Sequence, residues 1–308
     1  MRSILFYSCL LLGCFYQLSA QQIDKSLEKG LRELVSDFKG DVGVYVYNLT
    51  TNTVAAINAD TIFPTASIVK VPILIGVFDK IHKGALSLND TLVYDDKRAY
   101  GGAGLMQFYK DSTVTDLRTL ISLMITMSDN TTSLWCQELA GGGETINALM
   151  ANLGLKHTRV NSRTEGRTKD WDKYGWGQTT PKEMAFLLTK IRNRKMINAA
   201  SSDEMYRVMS NSFYTDYSLS QIPPYIQTAA KQGMVNTSRS ELVMVNAPTG
   251  DYVFYIGTKN NKDASWGFDN EAWQLQRKIS AYLWNYFNPT SDWKPAEKFQ
   301  DLVRDLRY

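Results

Sequence analysis

The stretch "PTASIVKVPIL", residues 64–74, places a lysine inside an apolar run, three residues after a serine. Residues three apart on a helix share one face, so Ser67 and Lys70 would lie side by side. Pro72 is tolerated only near a first helical turn, so the helix begins close to Ser67. A serine hydroxyl needs a base to become a nucleophile, and burial makes the neutral form of a lysine accessible. The stretch predicts a nucleophile and its base; the structural alternative is a helix cap beside a lysine whose stem covers apolar surface.

Strand patterns lie toward both ends of the chain, and helical patterns fill its middle. Alternating segments at 41–60 and 240–259 predict two β-hairpins. Amphipathic segments at 23–38 and 269–287 predict helices that cover a sheet. The economical assembly pairs both hairpins in one sheet, with a cleft beside the helical segment. The predicted fold class is therefore α+β: an antiparallel sheet flanked by helices, with an inserted all-helical lobe.

These patterns, together with the composition of the N-terminus, divide the chain into segments. A basic start, a short apolar run and small residues before Gln21 are typical of a cleaved signal peptide, so we expect a periplasmic or secreted protein. A lipoprotein site at "LLGC", residues 11–14, is the alternative. The predicted segments are a signal peptide at 1–20, a discontinuous α/β lobe at 21–62 and 211–288, a helical lobe at 63–210 containing the loop 162–181, and a peripheral tail at 289–308.

Composition excludes several classes of protein. The 308 residues carry a formal net charge of +3, which is too small to indicate binding to nucleic acid or anionic lipid. The N-terminal apolar run is too short for a stable membrane span. His82 and His157 lack metal-ligand spacing, and Cys136 is the only cysteine beyond the signal peptide, which suggests a packed thiol. We expect no metal and no organic cofactor.

Three further polar elements follow along the chain. "SDN", residues 128–130, lies between two helical patterns, and "KQG", residues 231–233, enters a strand. The loop 162–181 carries Glu165 and is too long for a simple connector, and such loops tend to be functional. The structural alternatives are an ordinary helix N-cap for the first element and a solvated lysine at a strand edge for the second.

Taken in order, "SIVK" (67–70), "SDN", the loop with Glu165 and "KQG" resemble the class A β-lactamases. The motifs of these enzymes and of the penicillin-binding proteins are S-x-x-K, S-D-N and K-T-G. The resemblance extends from the first hairpin to the last helix. It implies a β-lactamase/transpeptidase-like fold and a hydrolase that opens β-lactam rings through an acyl-enzyme.

The resemblance also implies a role for each motif residue. Ser67 would attack the lactam carbonyl, and Lys70 would help to deprotonate it. Ser128 would relay a proton to the leaving nitrogen. Asn130 would hold the substrate, and Lys231 would support Ser128 and attract the substrate carboxylate.

The strand and the loop complete the implied site. Gln232, Gly233 and Met234 would line the substrate-binding strand. The backbone N–H groups of Ser67 and Met234 would form the oxyanion hole, which any residue except proline can supply. Glu165 matches the family glutamate that activates water to release the acyl group.

Two departures from the family pattern concern the reaction. Gln232 stands where the family has Thr or Ser, which changes the reach toward the substrate carboxylate. Lys169 stands where an asparagine helps to hold the hydrolytic water. A cation beside Glu165 would lower the pKa of that carboxylate and weaken it as a base.

Two further departures concern supporting residues. The aspartate that pairs with the loop arginine of the family aligns with Gly177, so Asp170 or Asp172 would pair with Arg163 instead. Arg239 is the candidate for the arginine that the family often has on the strand after the third motif.

The sequence leaves two alternatives to β-lactam hydrolysis. The first keeps the fold and acts on peptidoglycan, as a D,D-peptidase or an esterase-like relative that turns β-lactams over poorly. The second is a non-catalytic module that binds a cell-envelope ligand. In each case the partner is a small β-lactam or a peptidoglycan-like molecule, and we expect a monomer.

Overall fold

The computed structural model describes residues 20–300, with the side chain of Gln300 left out. Apart from Ala20, the predicted signal peptide lies outside the described residues, as do residues 301–308. Among residues 20–300, no helix is both long enough and apolar enough to cross a membrane.

The chain alternates between short strands and helices in its first two thirds and ends with three long strands and a long helix. The helices are α1 (Lys25–Val35), α2 (Lys70–His82), α3 (Leu117–Thr126), α4 (Asn130–Leu139), α5 (Gly142–Asn152), α6 (Thr168–Tyr174), α7 (Pro181–Arg192), α8 (Ala199–Met209), α9 (Glu271–Phe287) and α10 (Glu297–Gln300). The strands are β1 (Gln22–Ile23), β2 (Asp41–Asn48), β3 (Thr53–Ile57), β4 (Phe63–Pro64), β5 (Thr91–Val93), β6 (Val114–Asp116), β7 (Arg159–Val160), β8 (Gly177–Thr179), β9 (Thr228–Val235), β10 (Ser238–Ala247) and β11 (Gly250–Lys259). Four 3₁₀ helices span Ala66–Val69, Asp96–Arg98, Met106–Phe108 and Ser218–Gln221.

Six strands form the main sheet in the order β1-β3-β2-β11-β10-β9. The two predicted hairpins are joined where β2 pairs antiparallel with β11, with Tyr45 opposite Tyr255. All pairs in this sheet are antiparallel except β1 with β3, because the two residues of β1 run beside β3 before the chain enters α1. The α+β prediction is confirmed, and this short parallel pair is the exception to its antiparallel sheet.

Apolar side chains on the strands point alternately to the two faces of the sheet, so both faces are apolar. On β2, Val44 and Val46 join a core that includes Leu31 of α1 and Ile279 of α9. Tyr45, between them, joins the core of the helical segment on the other face. Successive side chains of a strand point to opposite faces, so a strand buried on both sides reads as a nearly continuous apolar run.

Helix α7 begins with Thr180, Pro181 and Glu183, a sequence typical of a capping box, but only half of that box is formed. The Thr180 hydroxyl accepts the backbone N–H of Glu183 at 3.2 Å. The Glu183 carboxylate accepts instead from the backbone N–H groups of Lys156, His157 and Thr158. Three otherwise unpaired N–H groups of a tight connection satisfy this carboxylate better than one N–H at the cap does.

The division into two lobes stays a prediction, although the elements fall into recognisable groups. Helices α2, α3, α4 and α5 pack on one another, and α7 packs on β2 and β11. The described part of the C-terminal tail contacts this body, because Phe299 is buried with its ring centroid 5.7 Å from that of Phe268. Cys136 is buried on α4, which confirms the predicted packed thiol, and burial raises the pKa of that thiol.

Candidate active site

Ser67 lies in the 3₁₀ helix Ala66–Val69, immediately before α2. Ala66 has a positive φ of 42°, a conformation that non-glycine residues rarely adopt. Edge strand β9 passes directly against this turn: a Cβ on Gly233 would lie 2.3 Å from the Thr65 carbonyl oxygen and 3.0 Å from the Ser67 nitrogen. Only glycine permits so close an approach, so Gly233 brings the backbone of β9 to the nucleophile.

Lys70 is completely buried, and its amine lies among four oxygen atoms. Its Nζ is 3.0 Å from Ser67 Oγ, 3.1 Å from Ser128 Oγ and 2.9 Å from Asn130 Oδ1, and it also contacts the Ser128 carbonyl. Burial and, next, the charge of Lys231 hold the pKa of Lys70 well below its ordinary value, against the opposing effect of Asp129. The amine is thus within proton-transfer distance of the Ser67 hydroxyl, and its neutral form is favoured.

Ser128 connects the two buried lysines. Its Oγ lies 3.1 Å from Lys70 Nζ and 3.0 Å from Lys231 Nζ, and its backbone is left-handed, with φ 55°. Burial lowers the pKa of Lys231 to about 7, although the Glu241 carboxylate opposes this shift. Four side chains therefore form one continuous hydrogen-bonded chain, Ser67–Lys70–Ser128–Lys231.

The segment after Tyr100 holds the "SDN" turn in place. Asp129 caps α4 through the Thr132 N–H at 2.8 Å, and its second oxygen accepts the N–H groups of Leu105 and Met106. The Asn130 backbone N–H donates to the Ala103 carbonyl at 3.0 Å. Asp129 is therefore the expected N-cap and also the anchor of a neighbouring loop, a role that the sequence did not indicate.

The Asn130 amide is oriented by groups on both of its ends. Its Nδ2 donates to the Gly101 carbonyl at 3.0 Å, so its Oδ1 faces Lys70.

A cavity of about 500 Å³ opens beside this cluster. Its lining includes six of the residues predicted for the site: Ser67, Ser128, Asn130, Gln232, Gly233 and Met234. Its other lining residues are Gly102, Ala103, Tyr214, Asp216, Tyr217, Trp266, Phe268, Trp273 and Arg277. The cavity lining therefore combines polar groups around Ser67 with five aromatic side chains.

Gln232 presents an unused donor at this cavity. Its side chain is 4% exposed, and its Nε2 has no hydrogen-bond partner among the described residues. An unpaired buried amide is costly, so a ligand acceptor placed there would be stabilised. Gln232 thus carries an unpaired donor that is buried next to the cavity wall, at the position where the family has a hydroxyl.

The cation at the cavity wall is Arg277 of α9, which sequence reasoning missed. Its guanidinium donates to the Asp216 carbonyl at 3.3 Å and to the Phe268 carbonyl, and burial lowers its pKa to about 10. The available signal was an arginine four residues after Trp273 and three before Ser280, on a helix face that the structure buries. A cation on a buried face is unusual and indicates a specific partner or role.

Arg239, the candidate from the sequence, does not line the cavity. Its guanidinium lies 4.6 Å from the ring centroid of Trp266 and 4.9 Å from that of Trp273. It donates to the carbonyls of Ser238 and Ser265, each at 3.1 Å. Arg239 therefore supports the aromatic wall from behind, and Arg277 takes the place next to the cavity.

The structure does not bring Glu165 to the catalytic cluster. Glu165 is exposed, does not line the cavity, and its backbone N–H donates to the Glu144 carboxylate on α5. Lys169 is exposed as well, on α6, a helix without a buried residue. The carboxylate that acts electrostatically on Lys70 is that of Asp129.

Asp170 pairs with a different arginine from the expected one. Asp170 pairs with Arg167 at 3.1 Å, and among residues 20–300 no ion pair joins Arg163 to Asp170 or Asp172. Arg167 also donates to the Asn161 side chain at 2.8 Å. The prediction of an Arg163 ion pair was wrong because Arg167 lies three residues before Asp170, within reach along α6.

The loop side chain that does face the cluster is an indole. The ring centroid of Trp176 is 5.9 Å from Lys70 Nζ. Trp176 follows α6 and precedes β8, in a stretch whose sequence gave no sign of contact with Lys70.

Comparisons with known proteins agree with this arrangement. The family model described as "Beta-lactamase enzyme family" matches residues 26–287. Beta-lactamase VEB-1 of Pseudomonas aeruginosa is 22% identical over 258 residues, which cover 80% of this chain and 85% of that protein. Beta-lactamase SME-1 of Serratia marcescens is 25% identical over 205 residues, which cover 64% of this chain and 66% of that protein.

Solved structures share the fold. The structure of PBP-A matches with a TM-score of 0.78 and 23% identity, covering 88% of this chain and 99% of that one. A class A beta-lactamase from Bacteroides cellulosilyticus DSM 14838 matches with a TM-score of 0.76 and 20% identity, again covering 88% and 99%.

Proposed function

The chain belongs to the β-lactamase enzyme family, and we propose that it is a serine hydrolase that opens β-lactam rings through an acyl-enzyme at Ser67. The hydrogen-bonded chain from Ser67 through Lys70 and Ser128 to Lys231, at one end of a ligand-sized cavity, carries this proposal. It supplies a nucleophile, a base with a lowered pKa and a path for the proton.

In the proposed acylation, the neutral Lys70 amine takes the proton of the Ser67 hydroxyl, and Ser67 Oγ bonds to the lactam carbonyl carbon. The negative charge on the carbonyl oxygen is held by the backbone N–H groups of Ser67 and Met234. The carbonyl then re-forms and the ring C–N bond breaks. Ser128 gives its proton to the leaving nitrogen and receives one from Lys70, which returns Lys70 to its neutral state.

The substrate carboxylate would bind where positive charge and free donors meet. Lys231 supplies a charge beside Ser128, and Gln232 supplies its unpaired amide. Arg277 adds a second charge at the cavity wall, 4.0 Å from the Phe268 ring. Bound anions are stabilised by such convergent donors in a site that excludes bulk water.

Hydrolytic release of the acyl group is the step with less structural support. The family resemblance assigns it to water activated by Glu165. That assignment stays a hypothesis, and the exposed position of Glu165 leads us to expect release without this carboxylate. Since Glu165 is exposed outside the cavity, it could activate such a water only after the loop 162–181 has moved. A Glu165→Ala variant tests the assignment: a persistent adduct on Ser67 supports it, and an unchanged adduct lifetime removes it.

This position of Glu165 favours one alternative function, a penicillin-binding D,D-peptidase whose acyl-enzyme with β-lactams is long-lived. Such an enzyme needs the acylation chain and does not need a deacylating carboxylate for β-lactams. Cleavage of a peptide ending in D-Ala-D-Ala, together with slow release of bound penicillin, would identify it.

The decisive experiment is the mass of the purified protein after incubation with benzylpenicillin, alongside turnover of a chromogenic cephalosporin. The proposed function predicts an adduct that maps to Ser67 and is absent in Ser67→Ala. An adduct without turnover favours the peptidase. Neither an adduct nor turnover would reject both enzymatic functions and leave the envelope-binding module.

We further propose that the chain is exported and acts as a monomer. The basic and apolar segment before Gln21 supports export, and N-terminal sequencing of the protein from a cell envelope fraction tests it. A start near Gln21 is expected. Light scattering of the purified protein tests the monomer.

A further inference from the structure

Trp176 lies next to a residue, Gly177, that packs against the turn carrying Ser67. The next residue, Gly177, accepts the Thr65 backbone N–H at 2.9 Å. A Cβ on Gly177 would lie 2.6 Å from Val69 Cγ2 and 2.8 Å from the Arg159 carbonyl oxygen. The position of the indole is thus tied to the nucleophile through backbone contacts, and not only to its own loop.

Neighbouring rings restrict the Trp176 side chain further. The Tyr100 ring meets it edge-on, with centroids 5.2 Å apart and planes at 88°, and Trp171 lies 6.5 Å away at 34°. Tyr100 is itself fixed to α4 by two hydrogen bonds with the Thr131 hydroxyl. Such ring contacts favour one orientation of the indole.

The Trp176 indole both approaches the Lys70 amine and lines a second cavity. This cavity of about 270 Å³ is lined by Trp176 together with Ala66, Gly175, Val235 and Ser238. Ala66 and Val235 are the sequence neighbours of Ser67 and Met234, which line the main cavity. Lys70 lines neither cavity. The side chains that hydrogen-bond with the amine are those of Ser67, Ser128 and Asn130, and the Trp176 ring lies on the side of the loop 162–181.

From this arrangement we propose that Trp176 is a positioning residue that limits the access of water to Lys70 and so sets the lifetime of the acyl-enzyme. The inference rests on the proposed function. Release needs a water oxygen to bond to the ester carbonyl carbon while Lys70 takes the proton of that water. The bond from that carbon to Ser67 Oγ then breaks, Ser67 recovers the proton, and the free acid leaves. An indole over the amine keeps water from the place where this proton transfer would occur.

The test compares rates of adduct formation and adduct release with benzylpenicillin, followed by mass and by single-turnover kinetics. Trp176→Leu keeps an apolar side chain and leaves space that water can enter from the smaller cavity. We expect adduct formation to change by less than about threefold and release to become faster by about tenfold, because water and the amine then meet. Trp176→Phe retains a ring over Lys70 and should release at nearly the original rate.

The matched control is Trp171→Leu, which removes the other indole of the pair without uncovering Lys70. It should leave release unchanged, and thermal unfolding of each variant checks that the fold persists. The acid limb of the pH profile for adduct formation gives a second readout. Water beside Lys70 in Trp176→Leu would reduce the desolvation of the amine, while Lys231 and Asp129 stay in place. The pKa of Lys70 would then rise, and the acid limb should move to higher pH.

The two proposals fail in distinguishable ways. Absence of a Ser67 adduct in the unmodified chain overturns the proposed function and this inference together. An adduct that forms normally but is released no faster in Trp176→Leu overturns the inference alone. Equal acceleration in Trp171→Leu also overturns it, because the effect would then come from a loosened loop.

Discussion

The Ser67–Lys70–Ser128–Lys231 chain and the loop 162–181 lie close together but differ in how firmly the fold fixes their polar side chains. Ser67, Lys70 and Ser128 lie at or just before helix starts, Lys231 lies within β9, and both lysines are fully buried. In the loop, α6 has no buried residue and Glu165 is exposed. Groups for acylation are therefore preorganised, whereas the carboxylate expected to release the acyl group is not.

The physical reason for the difference is the cost of burying charge. A buried amine is stable only with hydrogen-bond acceptors around it, so the positions of Lys70 and Lys231 restrict where their oxygen partners can lie. A carboxylate on a polar loop satisfies its hydrogen bonds with water and imposes no such requirement. The comparison predicts large effects for changes in the buried chain and small effects for changes in the loop carboxylate.

The largest effect is expected for Ser67→Ala. Without the hydroxyl no covalent intermediate can form, so we expect the penicillin adduct to disappear and hydrolysis to fall by roughly 10⁴-fold or more. The side chain is small and lies next to the cavity, so the melting temperature should stay close to that of the unmodified protein. A residual adduct at another residue would show that the nucleophile has been misassigned.

The next largest effect is expected for Lys70→Met. Removing the general base should slow adduct formation by about 10²- to 10⁴-fold. A buried amine with a lowered pKa is costly to the folded state, so the variant should unfold at a similar or higher temperature. Stopped-flow acylation with thermal unfolding separates the two readouts. A fast rate in Lys70→Met would assign the base to another group.

An intermediate effect is expected from the titration of Lys231, whose pKa burial lowers to about 7. The protonated form attracts the substrate carboxylate, so kcat/KM should fall as the pH rises above about 7. Arginine keeps its charge throughout this range. Lys231→Arg should therefore lose the alkaline limb or move it to much higher pH. An unchanged limb would place the titrating group elsewhere.

The lowered pKa of Lys231 also makes the stability of the fold depend on pH. An amine with a folded-state pKa of about 7 and an ordinary value of 10.5 binds fewer protons in the folded chain than in the unfolded chain between these pH values. The contribution of Lys231 to the free energy of unfolding therefore becomes more favourable as the pH rises from about 7 toward 10.5.

The smallest effect is expected for Glu165→Ala. Because the carboxylate is exposed and lies outside the cavity, adduct formation and release should each change by less than about threefold. Lys169→Ala, also exposed on the same loop, is the matched control. A long-lived adduct in Glu165→Ala alone would show that the loop brings this carboxylate to the acyl-enzyme and would remove the contrast between the two regions.

Sequence reasoning predicted most of the buried chain, because its motifs lie at helix starts and on a strand where local spacing fixes direction. Ser67 and Lys70 are three residues apart at the start of a helix, so their proximity follows from helix geometry. It failed for the Arg163 pair, and the structure left Glu165 apart from the cluster. Loop residues do not repeat with a fixed period, so spacing does not tell where their side chains point.

By itself, the sequence determined the α+β class, the two hairpins and the helix that starts at Lys70 just after Ser67, because periodic apolar patterns specify which face of each element is buried. Only the tertiary structure decided that Arg277 reaches the cavity, that Arg239 lies behind aromatic rings, and that Trp176 covers the catalytic amine. These contacts join residues far apart in the chain. They depend on how whole elements pack, and no local pattern encodes that packing.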